Sequence, residues 1–297
     1  MTSLDQFASV FASLAWGPWL VFLLLGSGAY FLIRSSLTPF KYLSHAFAVL
    51  LGKHKTKSDV GDVSSFKALA ASLSGTIGLG NIAGVAVAIQ IGGPGAIFWM
   101  WITAIFGIAT KFFTCTLSVM YREVDSNGDT RAGPMYVVKN GLPKYMLPLA
   151  YFFAFFGMIG CLAAFQSNQI VQITKDLYFE NFINFEYFAG IFLMVITALV
   201  ILGGLKRIAT VASWLVPFMA GLYLIAVLVA ILLNFDSFIP SILLIFSEAF
   251  NVNSAISGGI VGVIITGIRR GAFSNEAGIG TEAMIHGAAK TSHPVKQ

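Results

Sequence analysis

The stretch from Ser72 to Ile91, SLSGTIGLGNIAGVAVAIQI, combines residues that weaken a helix with residues that can bind a polar solute. It is apolar enough for the interior of a bilayer, yet glycines crowd its middle. A backbone that leaves the helix at membrane depth exposes N–H and C=O groups, which buried protein, water or a bound solute must satisfy. Thr76 and Asn81 add uncharged donors and acceptors at this point. The stretch is therefore a candidate binding site for a small polar solute.

Two other interpretations of the same glycines have to be weighed. Gly80 and Gly84 form a small-xxx-small pair, which favours close packing of two membrane helices as strongly as it favours binding. Residues 78–83, GLGNIA, also match the dinucleotide fingerprint G-x-G-x-x-A. No strand-like run precedes these glycines, and FWMWITA stands where an acidic residue should meet a ribose. The dinucleotide interpretation is rejected, and packing and binding both stay open.

A second polar group interrupts the apolar run at residues 146–173. It contains Gln166, Asn168, Gln169 and Gln172. Amides inside a membrane helix are costly unless paired, so they serve either as contacts between helices or as ligands of a solute. We favour a ligand role for at least one of them.

A second flexible point is predicted in the last apolar run. Gly258, Gly259 and Gly262 lie within it, and Gly278 and Gly280 follow among polar residues. Two glycine-interrupted spans in one chain indicate a secondary transporter, in which broken helices face each other at the midplane. Half-helix amino termini attract a carboxylate there, and free carbonyls coordinate a cation. The histidines show no metal-ligand spacing and no nucleophile has a base partner, so the sequence does not indicate an enzyme.

The elements that position these groups are predicted to be membrane helices. Of the 297 residues, 57% are hydrophobic and only 10% are charged, which indicates an all-α polytopic membrane protein. Basic residues lie in separate short loops, which excludes a nucleic-acid surface. The two cysteines, Cys115 and Cys161, are interpreted as buried thiols. Residues 1–297 form a single transmembrane domain with seven helices of spanning length, predicted at residues 15–33, 66–91, 96–121, 146–173, 187–205, 211–233 and 256–275.

Charged residues in the loops give the orientation. Basic residues gather on one side, and the other side has only Lys175. By the positive-inside rule, the amino terminus lies outside and the carboxyl terminus in the cytoplasm, in a bacterial or archaeal inner (plasma) membrane. Lys111, Arg269 and Arg270 lie within or at the edges of helices, and we interpret them as snorkelling towards the cytoplasmic interface. The basic loop residues are Arg34, Lys41, Lys53, Lys55, Lys57, Lys67, Arg122, Arg131, Lys139, Lys144, Lys206, Arg207, Lys290 and Lys296.

Three segments resemble the alanine/glycine:cation symporter family. They read GTIGLGNIAGVAVAIQIGGPGAIFWMWITAIFGIATKF, AGPMYVVKNGL and RRGAFSNEAGIGTEAMIHGAAKTSHPVKQ, and the resemblance runs from about Phe66 to the last residue. It implies sodium- or proton-coupled uptake of a small neutral amino acid such as alanine or glycine, with no cofactor besides the coupling ion. It also implies a leucine-transporter-like fold of two inverted five-helix repeats, preceded by one extra helix.

The resemblance also assigns roles to residues. The first glycine-rich break would hold the carboxylate and amino ends of the substrate, the amides of the 146–173 helix would reach it, and carbonyls near Gly75 and Thr76 would supply part of a sodium site. The family pattern leads us to expect an acidic residue shortly after Lys111, where this chain has Thr114. The candidate substrate-binding residues are Gly75, Thr76, Gly78, Gly80, Asn81, Gln166, Asn168, Gly258, Gly259 and Gly262.

The family pattern continues for about four more helices, so we expect this chain to lack the carboxyl-terminal third. It would hold the extra helix, the first repeat and the first helix of the second, as a fragment, a remnant, or one part of a split protein whose missing carboxyl-terminal half is a partner. A membrane channel is the chief alternative from another class, because pores also use membrane-buried backbone. No charged residue lies near the first break in the sequence or near Gln166, so a small neutral substrate is expected.

Overall fold

The computed structural model describes residues 3–54, 59–251 and 259–297, and almost all of its regular structure is helical. Two short strands, β1 (Glu123–Val124) and β2 (Thr130–Arg131), pair antiparallel. Single 3₁₀ turns cover Lys144–Met146 and Pro294–Lys296. The α-helices are α1 Ser3–Ala15, α2 Pro18–Arg34, α3 Thr38–Lys41, α4 Leu43–Leu50, α5 Ser65–Thr76, α6 Ala83–Gly92, α7 Gly95–Met120, α8 Pro134–Gly141, α9 Leu147–Gly160, α10 Ala164–Tyr178, α11 Phe185–Ile201, α12 Gly204–Leu233, α13 Phe235–Glu248, α14 Ile260–Asn275 and α15 Thr281–Gly287.

Four helical stretches of the described chain are long and apolar enough to cross a membrane: Asp5–Arg34, Gly95–Met120, Lys144–Tyr178 and Gly204–Leu233. The protein is therefore a polytopic membrane protein. The predicted helix at 66–91 is divided into α5 and α6, and the one at 146–173 into α9 and α10. The predicted helices at 187–205 and 256–275 lie within a few residues of α11 and α14. That all seven cross the membrane stays a prediction.

Helix α7 is the central helix of the packed region, and small residues let α14 approach it closely. A Cβ atom on Gly267 would lie 2.5 Å from the carbonyl oxygen of Ala96, and one on Gly271 would lie 3.0 Å from Thr103 Cβ. On another side, a Cβ atom on Gly28 of α2 would lie 2.8 Å from Phe106 Cβ. These contacts leave no room for side chains, as is typical of membrane helices that pack through small residues.

Helices α9 to α13 expose much of their apolar surface. Large side chains such as Phe152, Phe192, Leu222 and Leu243 are each about two-thirds exposed, at 62%, 63%, 60% and 63%. A surface of this kind is unfavourable in water and suits contact with lipid. The interpretation of Cys161 as a buried thiol is wrong: it is exposed where α9 ends, whereas Cys115 is buried in α7.

Loops that the charge pattern assigned to one side of the membrane do meet in the structure. The guanidinium of Arg122 donates to the carbonyl oxygens of Val60, Gly287, Ala289 and Thr291 at 2.8 to 3.0 Å. The backbones around Val60 and Thr291 also pair with each other. We call this end of the molecule, where residues 59–63, 122–131 and 287–293 meet, the basic side.

Candidate functional site

The first break separates α5 from α6, at the place that the glycines predict. Helix α5 ends at Thr76 and α6 begins at Ala83. Tight turns fill the gap: the amide of Asn81 donates to the carbonyl of Gly78 at 3.0 Å, and the amide of Gly84 to that of Leu79 at 2.8 Å. The Asn81 side chain donates through Nδ2 to the carbonyl oxygen of Thr76 at 2.5 Å. One of the carbonyls left free by the end of α5 is thereby satisfied from within the loop.

A second break lies between α14 and α15, at residues 275–280. The flexible point predicted at Gly258, Gly259 and Gly262 lies at the start of α14 and partly outside the described residues, so it stays a prediction. Gly262 lies inside α14, Gly259 is its N-cap residue with φ 87°, and Gly258 lies outside the described residues. The chain also turns where Glu276, Gly278 and Gly280 have φ of 55°, 91° and 85°. A left-handed backbone favours glycine, whereas a glycine inside an apolar run can serve packing alone. Whether Gly258, Gly259 and Gly262 contact a substrate stays a prediction.

The two breaks face each other. The hydroxyl of Ser274 donates to Oδ1 of Asn81, so a side chain of one break bonds a side chain next to the other. A Cβ atom on Gly75 would lie 3.5 Å from Oε1 of Glu276, and one on Gly80 would lie 3.5 Å from Cα of Ser274. The statement that no charged residue lies beside the first break is therefore wrong for the folded chain. Glu276 arrives from far along the sequence, where local spacing gives no signal.

Groups of opposite polarity surround the point where the breaks meet. The carboxylate of Glu276 and the free carbonyls at the end of α5 are negative, whereas the uncapped amino terminus of α6 at Ala83 is positive. The hydroxyl of Thr281 donates to Oε2 of Glu276 at 3.4 Å and orients the carboxylate. On one flank Phe273 packs edge-on against Trp16, with ring centroids 6.1 Å apart. Such a site can bind a small molecule that carries both an ammonium and a carboxylate group.

The amides of α10 are not brought to this point. Gln166 and Asn168 are exposed, and neither forms a hydrogen bond within the part of the chain that the structure describes. The stretch that holds them comes near the second break at Phe153 of α9, whose ring would lie 3.5 Å from a Cβ atom on Gly280. Their role as substrate ligands stays a prediction.

Two acidic residues of this region were missed by sequence reasoning, Glu276 and Glu282. Glu282 lies in α15 beside Thr114, with Oε1 3.3 Å from the threonine hydroxyl. Glu282 therefore lies beside Thr114, the residue that stands where the family pattern led us to expect an acidic one. A usable signal was present, since acidic residues are scarce in this chain and two of them lie among the glycines of residues 275–282.

Other predicted positions and cavities lie apart from the breaks. Arg269 and Arg270 lie inside α14, and Nε of Arg269 is buried with no hydrogen-bond partner among the described residues. Their interpretation as snorkelling residues stays a prediction, as does that of Lys111. A cavity of about 600 Å³ opens on the basic side, lined in part by Lys67, Lys206 and Lys290.

Spanning helices and two facing interruptions with polar groups between them define a polytopic membrane protein with an internal polar site. Residues 1–297 match the sodium:alanine symporter family, and the chain belongs to this family. The family consists of transporters and not of enzymes. The resemblance seen in the sequence motifs is therefore confirmed at the level of the family.

Relatives in several microorganisms are similar over nearly the whole chain. The chain is 44% identical to the sodium/alanine symporter AgcS of Methanococcus maripaludis, over 96% of this chain and 63% of the relative. It is 39% identical to the putative sodium/proton-dependent alanine carrier protein YrbD of Bacillus subtilis, over 98% and 59% of the two chains. It is 36% identical to the probable sodium/glutamine symporter GlnT of Bacillus subtilis, over 99% and 60%.

The chain thus spans 63%, 59% and 60% of the lengths of these three relatives. The family match, which covers residues 1–297 in full, gives no support to the expectation that a carboxyl-terminal third is missing. That expectation stays a prediction.

Proposed function

We propose that the protein couples the inward movement of a cation, sodium or a proton, to the uptake of a small neutral amino acid bound between the two breaks. The observation that carries this proposal is the position of the Glu276 carboxylate opposite Gly75, in a chain of the symporter family. A carboxylate at this place suits a substrate with a charged amino group.

The polarity of the breaks suggests how the substrate would lie. Its ammonium group would contact Glu276 and the free carbonyls near Gly75, and its carboxylate would lie at the amino terminus of α6. Carbonyl oxygens near Gly75 and Thr76 would also serve the coupling sodium ion. Phe273 and Trp16 limit the space beside Gly80, which favours a short substrate side chain.

Because Glu276 lies at the site, the small size of the substrate cannot be inferred from an absence of charge there. It follows from the close approach of the breaks at Gly75 and Gly80. The neutral side chain follows from charge pairing: the substrate ammonium uses the carboxylate, so a second cationic group on the substrate would have no partner.

We infer a leucine-transporter-like arrangement in which α5–α6 and α14–α15 are the broken helices of two inverted repeats. The exposed apolar faces of α9 to α13 would contact lipid, and the basic side would face the cytoplasm of a bacterial or archaeal cell, with the amino terminus outside.

Uptake into proteoliposomes tests the function. The full-length gene product should take up labelled alanine saturably and only with an inward gradient of sodium or protons. Flux that does not saturate and ignores both gradients would indicate a channel and contradict the proposal. Uptake by the 297-residue chain alone tests whether this chain suffices for transport. The same measurement tests the expectation that it is a fragment.

Competition and substitution test the site. Glycine should compete with alanine, and lysine and glutamate should not; glutamine belongs in the panel because one relative is named as a glutamine symporter. Gln166→Ala should weaken alanine binding by about 1 to 3 kcal/mol if its amide reaches the substrate. Unchanged binding by a folded Gln166→Ala protein would remove Gln166 from the site.

A further inference from the structure

Glu282 is a buried carboxyl group whose two oxygens have different surroundings. The residue is 3% exposed and lies in α15. Its Oε1 lies 3.3 Å from Oγ1 of Thr114, whereas its Oε2 is buried and has no hydrogen-bond partner among the described residues. A buried ionised carboxylate with an unpaired oxygen is very unfavourable, so the group needs either a cation or a proton.

The two contacts of the Thr114 hydroxyl favour a proton on Glu282. Its oxygen lies 3.1 Å from the carbonyl oxygen of Lys111, one turn earlier in α7, as well as 3.3 Å from Glu282. A hydroxyl has one hydrogen and accepts through its lone pairs. When that hydrogen goes to the helix carbonyl, the contact with Glu282 forms only if Glu282 itself donates, which requires a protonated carboxyl group.

No positive group completes an ion pair with Glu282 in the described part of the chain, although Lys111 acts on it through space. Helix α15 packs against α7, α5 and β2, and the titratable and charged groups of these elements and of the adjoining segment are Lys111, Cys115, Lys67, Arg131, Glu276 and His286. Two of them have partners elsewhere, since Lys67 donates to Thr210 and Arg131 pairs with Asp125.

We propose that Glu282 is a proton-binding site of this protein. It is separate from Glu276, the carboxylate proposed to bind the ammonium group of the substrate. In the arrangement described here the carboxyl group carries its proton on the oxygen next to Thr114 and donates it to Oγ1. When α15 moves away from α7 and water enters, the O–H bond breaks and the proton passes to water. The ammonium of Lys111 then stabilises the carboxylate that remains. The link between this proton and amino-acid uptake rests on the proposed function, whereas the site itself does not.

Infrared difference spectroscopy tests the site without requiring transport. The full-length protein in detergent is titrated from acid to alkaline pH, and the C=O stretching band of protonated carboxyl groups is followed. We expect a band that persists above the range in which exposed carboxyl groups ionise and that is lost in Glu282→Gln. The matched control Glu180→Gln changes an exposed carboxylate and should keep the band. A band that persists unchanged in Glu282→Gln would overturn the proposal.

A second pair of variants covers the case in which Glu282→Gln does not fold. Thr114→Ser keeps the hydroxyl and should leave the band in place, whereas Thr114→Val removes the acceptor and should shift it. Identical bands in both variants would overturn the assignment of Thr114 as the acceptor of the proton. A sodium-induced loss of the band at constant pH in the wild type would show that the site takes a metal cation instead.

Uptake measurements then address the coupling. In proteoliposomes the wild-type rate should change about tenfold per pH unit on the limiting side of a single titration, and Glu282→Gln should lose that dependence. A variant with the wild-type pH profile would separate the proton site from transport and contradict the coupling. If neither protein takes up an amino acid, the proposed function fails while the infrared titration still decides the proton site.

Discussion

The two breaks face each other but are built differently. The loop between α5 and α6 is closed by its own backbone hydrogen bonds and by the Asn81 amide, and no residue from 77 to 82 has a left-handed backbone. Between α14 and α15 the chain takes left-handed conformations at Glu276, Gly278 and Gly280. This conformation strains the backbone at Glu276, because a residue with a Cβ atom is disfavoured in the left-handed region.

Contacts with α7 and with the segment that follows it hold the second break in place. Thr114 and Ser118 of α7 contact Glu282 and the carbonyl oxygen of Ala283 in α15, and Arg122 holds the chain that follows. The first break is thus a local glycine loop, whereas the second depends on contacts distant in sequence. The second should therefore be the more sensitive of the two to substitutions elsewhere in the protein.

The largest effect should come from filling the space beside the second break. A Cβ atom on Gly107 of α7 would lie 2.9 Å from Cβ of Ala277 and 3.2 Å from Nδ2 of Asn275. We expect Gly107→Val to destabilise the protein by about 2 to 3 kcal/mol through overpacking, measured by thermal unfolding in detergent. Gly190→Val is the matched control, because nothing lies within 4 Å of a Cβ atom there. Equal effects of the two substitutions would show that the second break is not held by α7.

Next in size is the loss of the carboxylate that joins the breaks. Glu276→Gln keeps the shape of the side chain but removes its charge, so the substrate ammonium loses its charged partner. We expect alanine binding to weaken by about 2 kcal/mol, roughly thirtyfold, in a direct binding assay. Glu180→Gln should bind normally. Wild-type affinity in Glu276→Gln would remove the carboxylate from the site.

A smaller effect should measure the bond between the two breaks. Ser274 donates to Asn81, so Ser274→Ala and Asn81→Ala should be coupled in a double-mutant cycle of unfolding free energies. We expect a coupling of about 1 kcal/mol. Additive effects would mean that the breaks contribute to stability independently. Asn81→Ala should cost more than Ser274→Ala, because it also frees the carbonyl of Thr76.

The smallest effect concerns an ion pair on the basic side. Burial by itself raises the pKa of Asp62, but the amide of Thr130 and the ammonium of Lys206 outweigh it and lower the pKa below its ordinary value of 3.8. The stabilisation is therefore present above pH 3.8 and is lost as the pH falls through the lowered pKa. We expect Asp62→Asn to remove this acid sensitivity, at a cost below about 1 kcal/mol at neutral pH because Lys206 is largely exposed. An unchanged acid limb of the stability profile would contradict this.

The sequence allowed the first break to be predicted because its cause is local. Glycines clustered with Thr76 and Asn81 weaken one helix at one place, and the helix does end at Thr76. The break at residues 275–280 was not predicted, because the left-handed backbone at Gly278 and Gly280 is seen only in the folded chain. The contacts of Glu276 with Gly75 and of Glu282 with Thr114 join distant parts of the chain, so only the folded structure shows them.

The guanidinium of Arg122 has consequences for the order of assembly. Three of the four carbonyl oxygens that it binds belong to Gly287, Ala289 and Thr291, which a ribosome synthesises long after α7. Until those residues are synthesised, three of these four bonds cannot form, so the end of the chain after α7 is fixed only afterwards. Closure of the basic side is therefore a late step, and its four bonds come from both terminal nitrogens of the guanidinium, a planar fork of donors that a lysine would not supply.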